Sequence, residues 1–159
     1  VRRFPAARIT VIDSSARMLE IARSKTDSDR IEYIHADLLE WDGTPGAFDL
    51  IVTNFFLDCF GPDELAAVVR KLATLATPKA DWLLADFEIA PNGPARLRSR
   101  LIIGILYPFF RITTGLQTRA LVPPGELLAT TGFNRHRRTT HDWGLLKSEW
   151  WRRHDLGAS

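Results

Sequence analysis

Four polar residues stand where short apolar segments of the sequence end, and these side chains could bind a polar ligand. They are Asp13, Asp37, Asn54 and Asp86. A carboxylate has two acceptor oxygens, so one aspartate can accept hydrogen bonds from both hydroxyl groups of a ribose. Asp13 suits this role. An aspartate in this position can equally well cap the N-terminus of the next helix, and the sequence leaves both roles open.

The segments that precede these four residues predict β-strands because they are short, apolar and rich in β-branched residues. The predicted strands are residues 8–13, 31–36, 48–53 and 82–87. A helix capped by Ser14 or Ser15 follows the first strand, with Met18, Leu19, Ile21 and Ala22 on its apolar side. The clearest helix begins at Gly61-Pro62, and its apolar residues recur with helical spacing: Leu65, Val68, Val69, Leu72 and Leu75. Strands that alternate with helices predict an α/β fold of the Rossmann-like, doubly wound type, with a mostly parallel sheet.

The last third of the chain departs from this alternation. Residues 94–116 predict one or two helices with a polar stripe and a broad apolar face. A short helix from Glu126 should end at Gly132, and a C-terminal antiparallel hairpin of residues 133–140 and 145–151 should follow. Ligands of doubly wound sheets bind at the carboxyl ends of the strands, so the four polar residues mark the expected site.

Composition excludes several classes of protein. Of 159 residues, 45% are hydrophobic and the net charge is only +2, which excludes disorder. Cys59 is the single cysteine, which excludes a disulfide framework and favours a reducing, cytoplasmic location. No stretch reaches the roughly 18 apolar residues of a transmembrane helix, and no signal peptide is visible.

Charge is distributed unevenly along the chain. Residues 1–90 carry 10 Lys and Arg against 15 Asp and Glu, whereas residues 91–159 carry 11 against 4. The favoured interpretation of the basic C-terminal part is a solvated surface. The more specific alternative is a patch that binds an anionic substrate or makes peripheral contact with a membrane. The basic residues form no recognisable nucleic-acid-binding module, so we expect no nucleic-acid partner.

Taken together, the ordered segments resemble the class I S-adenosylmethionine-dependent methyltransferases. The resemblance rests on Ile9-Thr10-Val11-Ile12-Asp13-Ser14-Ser15, on Tyr33-Ile34-His35-Ala36-Asp37-Leu38, on Phe48-Asp49-Leu50-Ile51-Val52-Thr53-Asn54, on Trp82-Leu83-Leu84-Ala85-Asp86-Phe87 and on the closing hairpin. It covers nearly the whole chain, and the order and spacing of the segments are more specific than any one motif. It implies a single methyltransferase-like domain over residues 1–159, with a helical, substrate-covering insert at residues 94–123.

The resemblance also implies roles for individual residues. Asp13 would bind the ribose hydroxyls of S-adenosyl-L-methionine, and Ser14 would lie beside the adenine edge. Asp37 would accept from the adenine amino group, and the Leu38 backbone N–H would meet a ring nitrogen. Asn54 would lie near the methionine portion.

The family's first strand and its glycine-rich loop are missing from this sequence. In the family that strand lies at the centre of the sheet, between the strands that here end at Asp13 and Asn54. The start at Val1, with no methionine before Met18, adds to the expectation that the sequence is an N-terminally truncated piece of a longer protein. We therefore expect the 159-residue chain by itself to be loosely folded and to bind the cofactor weakly.

In-line displacement of the methyl group needs orientation above all, and an oxygen acceptor also needs a general base. Asp58 and Tyr107 are the candidate catalytic residues. Residues 101–110 resemble the quinone C-methyltransferase branch, which implies a small, lipophilic acceptor. The polar head group of that acceptor would meet Arg96, Arg100 or Arg111. Most of the apolar residues within 101–110 are better explained by packing of a helix on the sheet.

Two other functions stay open. A nicotinamide-dependent oxidoreductase would also use an acid at a strand end, but the Gly-x-Gly-x-x-Gly turn that it needs is not in this sequence. A non-catalytic binding or assembly module could have kept the fold and lost the cofactor loop. The four histidines and Cys59 show no metal-ligand spacing, so we expect no metal.

Overall fold

The computed structural model describes residues 4–26, 28–88, 92–93, 96–98, 101–102 and 123–153, the side chain of Trp143 excepted. These residues belong to two compact units, Val1–Gly43 and Thr44–Ser159. The order of elements confirms the predicted α/β class. The interpretation as one domain over residues 1–159 stays a prediction.

The first unit is a βαβ arrangement. Strand β1 (Ile9–Asp13) pairs in parallel with β2 (Ile31–His35), with Ile9 opposite Ile31 and Asp13 opposite His35. Helix α1 (Ala16–Lys25) connects them, and of its apolar side only Leu19 is buried. Met18 is 54% exposed and Ile21 39%, so the predicted apolar side of α1 is only partly covered within the described residues. Among those residues, β1 has no strand partner other than β2.

The second unit contains a four-stranded sheet of order β3-β4-β6-β5. Its elements are β3 (Phe48–Asn54), a 3-10 turn (Leu57–Cys59), α2 (Pro62–Leu75), β4 (Ala76–Phe87), α3 (Gly125–Thr130), β5 (Phe133–His141), a second 3-10 turn (Asp142–Gly144) and β6 (Leu146–Arg153). Strands β3 and β4 are parallel, while β6 is antiparallel to both β4 and β5. The predicted terminal hairpin is therefore confirmed, and β4 is longer than predicted because it begins at Ala76 directly after α2.

The core of the second unit lies on one face of this sheet. Helix α2 has proline at its first turn and buries Leu65, Val68, Val69 and Leu72, as its spacing predicts. Trp82 is fully buried, packs edge-to-face on Phe133 at 5.3 Å, and donates its indole N–H to Thr53 Oγ1 at 2.9 Å. These contacts fix the register of β3 against β4 and so place the carboxyl ends of both strands.

The opposite face of the same sheet is open within the described residues. Leu50 and Val52 on β3 are 47% and 53% exposed, and Leu83 on β4 is 40% exposed. Strand β3 lies at the edge of the four-stranded sheet, because β4 is its one strand partner among the described residues.

Candidate functional site

Asp13 lies at the carboxyl end of β1 and shapes the turn into α1. Its Oδ1 accepts a hydrogen bond from the Ser15 backbone N–H at 2.8 Å, and Ser15 in turn caps α1 through the Met18 N–H at 3.4 Å. Within the described part of the chain, the Oδ2 of Asp13 has no hydrogen-bond partner. The cap of α1 is therefore Ser15 and not Asp13. Asp13 holds the turn before the helix through its Oδ1, and its Oδ2 remains as an acceptor for a ligand.

Asp37 repeats this arrangement two residues after the end of β2. Its Oδ1 accepts from the Leu39 N–H at 2.8 Å, and its carbonyl oxygen accepts from the Trp41 N–H at 2.9 Å. The side chain is exposed, and its Oδ2 has no partner among the described residues. Because β1 and β2 are parallel neighbours, Asp13 and Asp37 lie at the same edge of their sheet.

The remaining predicted residues of the first unit belong to the same two turns. Ser14 is exposed, and Leu38 is half-buried directly after Asp37. The ring Nε2 of His35 lies 3.0 Å from the Ser14 carbonyl oxygen and so connects the turn after β1 with the turn after β2. His35 is the last residue of β2, and nothing in the local sequence pattern showed that its partner would be Ser14.

In the second unit, Asn54 is the last residue of β3 and is exposed. It borders a shallow groove of about 370 Å³ on the open face of the sheet. Besides Asn54, the groove is lined by apolar Leu83, Leu84, Ala85 and Trp150 and by polar Arg137, Thr139, Ser148 and Glu149. A groove with an apolar floor and a guanidinium and hydroxyls at its side can hold a small molecule with an apolar body and a polar group.

The predicted catalytic residue Asp58 lies in the 3-10 turn after β3. Burial raises the pKa of its carboxyl, although a hydrogen bond from the Cys59 thiol favours the charged form. The Cys59 pKa is raised to about 12 by burial and by the negative charge of Asp58. The thiol is therefore protonated at neutral pH and is not a nucleophile in this environment.

Asp86, the fourth strand-end residue, is buried in the same region. Its relative exposure is 2%, and burial and the nearby charge of Asp58 raise its pKa to about 7. Lys147, directly opposite on β6, and the Phe56 backbone amide offset part of this effect. Asp86 therefore does not offer a free carboxylate to a ligand as Asp13 and Asp37 do.

The structure describes only part of the predicted insert at residues 94–123. Tyr107, Arg100 and Arg111 lie outside the described residues, so their predicted roles stay predictions. Arg96 is exposed. Sequence reasoning missed Arg98, whose guanidinium binds both carboxylate oxygens of Asp142 at 3.2 and 3.3 Å. No residue spacing pointed to this ion pair, because its partners are distant in sequence.

The described residues form neither a metal site nor a membrane-spanning helix. Within the part of the chain that the structure describes, no cluster of His, Cys, Asp and Glu side chains could hold a metal ion. None of the described helices has the length and apolarity required to cross a membrane.

Comparison with known proteins connects this geometry to a family. Residues 1–79 match the family model described as a methyltransferase domain. A trans-aconitate 2-methyltransferase of Paracidovorax citrulli is 41% identical over 75 residues, which are 46% of this chain and 28% of that protein. A malonyl-[acyl-carrier protein] O-methyltransferase of Priestia megaterium is 31% identical over 86 residues, 54% of this chain and 30% of that protein. The matched segment thus spans less than a third of either relative.

Solved structures extend the similarity in fold along the chain. An S-adenosylmethionine-dependent methyltransferase from Mesorhizobium loti aligns with a TM-score of 0.70 and 16% identity, covering 96% of this chain and 83% of that one. The 1,6-didemethyltoxoflavin-N1-methyltransferase of Burkholderia thailandensis, solved with S-adenosylhomocysteine, aligns with a TM-score of 0.64 and 19% identity, covering 93% and 62%. The predicted Rossmann-like methyltransferase fold is therefore confirmed. Over residues 1–79, just under half of its length, the chain is similar to the methyltransferase-domain family.

Proposed function

We propose that the protein containing this chain transfers a methyl group from S-adenosyl-L-methionine to a small-molecule acceptor. The observation that carries the proposal is the pair Asp13 and Asp37, which stand at one edge of the β1–β2 sheet, each with one carboxylate oxygen unused among the described residues. The family of residues 1–79 supports the same cofactor. A nicotinamide-dependent oxidoreductase has no comparable support.

The two carboxylates would hold the adenosine end of the cofactor. Asp13 would accept from a ribose hydroxyl through Oδ2 while its Oδ1 keeps the turn in place, so the acceptor is oriented before the ligand arrives. Asp37 would accept from the adenine amino group in the same way. Ser14 would lie beside the adenine edge, and the Leu38 backbone N–H would meet a ring nitrogen.

Bound S-adenosyl-L-methionine supplies an electrophilic methyl group on a positively charged sulfur. The role of the protein is to orient an acceptor atom in line with that methyl group. Where the acceptor loses a proton, the protein must also receive it. Asp58, whose raised pKa favours proton uptake, is the described candidate for the second task. Tyr107 is the other candidate, and it lies outside the described residues.

The acceptor we propose is small and of lipophilic character, with a polar group. The groove beside Asn54 supports this, because Leu83 and Trp150 form an apolar surface next to the Arg137 guanidinium. Arg96, Arg100 and Arg111 of the insert would provide further positive charge for an anionic head group or a membrane surface. A cytoplasmic location fits such an enzyme.

The test is calorimetric titration with S-adenosylhomocysteine and with adenosine, on the protein with any residues that its reading frame encodes upstream of Val1. We expect Asp37→Asn to weaken both ligands about tenfold, since a charge-assisted hydrogen bond to the base is lost. Asp42→Asn is the matched control, because Asp42 is an exposed acid of the same unit. No binding by the unaltered protein would favour a non-catalytic module, and equal binding by both variants would remove Asp37 from the site.

A further inference from the structure

The peptide group between Ser14 and Ser15 is held at both of its ends. Its N–H donates to Asp13 Oδ1 at 2.8 Å, and its carbonyl oxygen lies 3.0 Å from the ring Nε2 of His35. A carbonyl oxygen can only accept a hydrogen bond, so the Nε2 of His35 carries the hydrogen and donates it. Because a peptide group is planar, a contact that fixes its C=O also fixes the direction of its N–H. One rigid group therefore connects the imidazole of His35 to the carboxylate of Asp13.

His35 belongs to the strand that leads into the turn of Asp37. It is the last residue of β2, it lies opposite Asp13 in the register of the two strands, and it precedes Asp37 by two positions. The backbone makes a second connection, since the Ala36 N–H donates to the Asp13 carbonyl oxygen at 3.3 Å. The imidazole thus joins the turn proposed to hold the ribose to the turn proposed to hold the adenine.

The contact between His35 and Ser14 is poorly suited to holding the fold together. Both residues are exposed, so water competes for the hydrogen bond and the bond adds little to stability. The contact does reach the carboxylate whose second oxygen, Asp13 Oδ2, has no partner among the described residues. The direction in which that oxygen points matters for a ligand, and this direction depends on how firmly Oδ1 is held.

We propose that His35 is a positioning residue, which holds the peptide group between Ser14 and Ser15 and thereby directs the Oδ2 of Asp13 toward the ribose. Without the imidazole N–H the peptide group is free to tilt, and Oδ1 loses its aligned donor. The ligand must then order the carboxylate itself, which lowers its affinity. The consequence for binding rests on the proposed function, since that function places the ribose at Asp13. The hold on the Asp13 carboxylate does not depend on it.

The first experiment needs no ligand and compares two replacements of His35. His35→Met has no N–H donor, whereas the amide nitrogen of His35→Gln lies as many bonds from the backbone as the Nε2 of histidine. The readout is the exchange of the Ser15 amide with water, measured by NMR and divided by the exchange of the Leu39 amide. The Leu39 amide is the matched reference, because it donates to an aspartate Oδ1, that of Asp37, at the same 2.8 Å.

We expect the exchange ratio to rise at least about threefold in His35→Met, because the Asp13–Ser15 bond opens more often. In His35→Gln the ratio should stay within about twofold of its value in the unaltered protein. An unchanged ratio in His35→Met, or an equal rise in both variants, would overturn the proposal.

The second experiment measures affinity for S-adenosylhomocysteine by calorimetric titration, on the protein with any residues that its reading frame encodes upstream of Val1. His35→Met should weaken binding about three- to tenfold, the effect of one hydrogen bond, and His35→Gln should bind within about twofold of the unaltered protein. Glu32→Met is the matched control, because Glu32 is another exposed residue of β2, and it should bind as the unaltered protein does. Equal weakening by methionine and glutamine at position 35 would assign the effect to the ring itself and overturn the positioning role.

A third measurement tests whether His35 acts through Asp13. In the Asp13→Ala background, His35→Met should weaken binding no further, because the carboxylate that it directs is gone. A loss as large as in the unaltered background would overturn the proposal, since a merely structural contribution adds to that of Asp13.

Failure of the proposed function would be recognised separately. If the unaltered protein does not bind S-adenosylhomocysteine, the ribose assignment is refuted together with the proposed function. The Ser15 exchange ratio then decides whether His35 holds the Asp13 carboxylate, because that measurement contains no ligand.

Discussion

Replacing Asp86 by asparagine should make the protein more stable at pH 8 and leave its stability nearly unchanged at pH 4. The pKa of Asp86 rises from 3.8 to about 7 on folding, chiefly through burial and then through the charge of Asp58. Between these two values the folded state keeps a proton that the unfolded state has lost, so the free energy of unfolding falls as the pH rises. Above pH 7 both states are ionised and the loss is complete.

The size of this effect follows from the shift in pKa. The difference between a pKa of 3.8 and a pKa of about 7 corresponds to roughly 4 kcal/mol of lost stability at pH 8. Water that reaches the ionised carboxylate lowers that figure, so we expect Asp86→Asn to recover about 2 to 4 kcal/mol at pH 8. The asparagine side chain has nearly the same shape and carries no charge, so it removes the ionisation without creating a cavity.

The assay is urea unfolding at pH 4, 5, 6, 7 and 8, followed by tryptophan fluorescence. The difference between the variant and the unaltered protein should grow from pH 4 to pH 7 and then stay constant. Asp81→Asn should behave in the opposite sense, because its hydrogen bond from Arg152 lowers the Asp81 pKa and stabilises the fold only above the unfolded value. A difference for Asp86→Asn that is independent of pH would refute the reasoning.

Three further predictions concern binding, turnover and packing. Asp13→Ala should weaken binding of S-adenosyl-L-methionine by about 1 to 3 kcal/mol in a calorimetric titration, because one partner of a charge-assisted hydrogen bond is lost; unchanged affinity would remove Asp13 from the site. Replacing Tyr107 and Arg111 by alanine should impair turnover in a methyl-transfer assay and change cofactor affinity by no more than a factor of a few, whereas joint loss of binding and cooperative unfolding would make the insert part of the core. Thr53→Val should cost about 1 to 3 kcal/mol in urea unfolding, because the buried Trp82 indole N–H loses its acceptor; a loss below about 0.5 kcal/mol would mean that the bond contributes little to stability.

Local pattern accounts for most of the elements of the fold. The strand ending at Asp13, the cap at Ser15 and the spacing of α2 follow from residue types within a few positions of each other. The left-handed glycine after α3, Gly132, was predicted in the same way and has a φ of 89°. The carboxyl-end residues of the site were predicted for the same reason, because parallel strands place their ends at one edge.

The four strand-end residues look equivalent in the sequence, and only the tertiary structure separates them. Asp13 and Asp37 each keep an oxygen for a ligand, whereas Asp86 is sealed beneath the turn of residues 55–60. Burial of Asp86 depends on Lys147 and the rest of β6, which lie some sixty residues further along the chain. Local sequence determines which backbone conformations are favourable, but the environment of a charge is set by residues that folding brings together. The sequence alone therefore determined the order of the elements and the chemistry at their ends, and the packing of β4 against β6 decided which of those acids is buried.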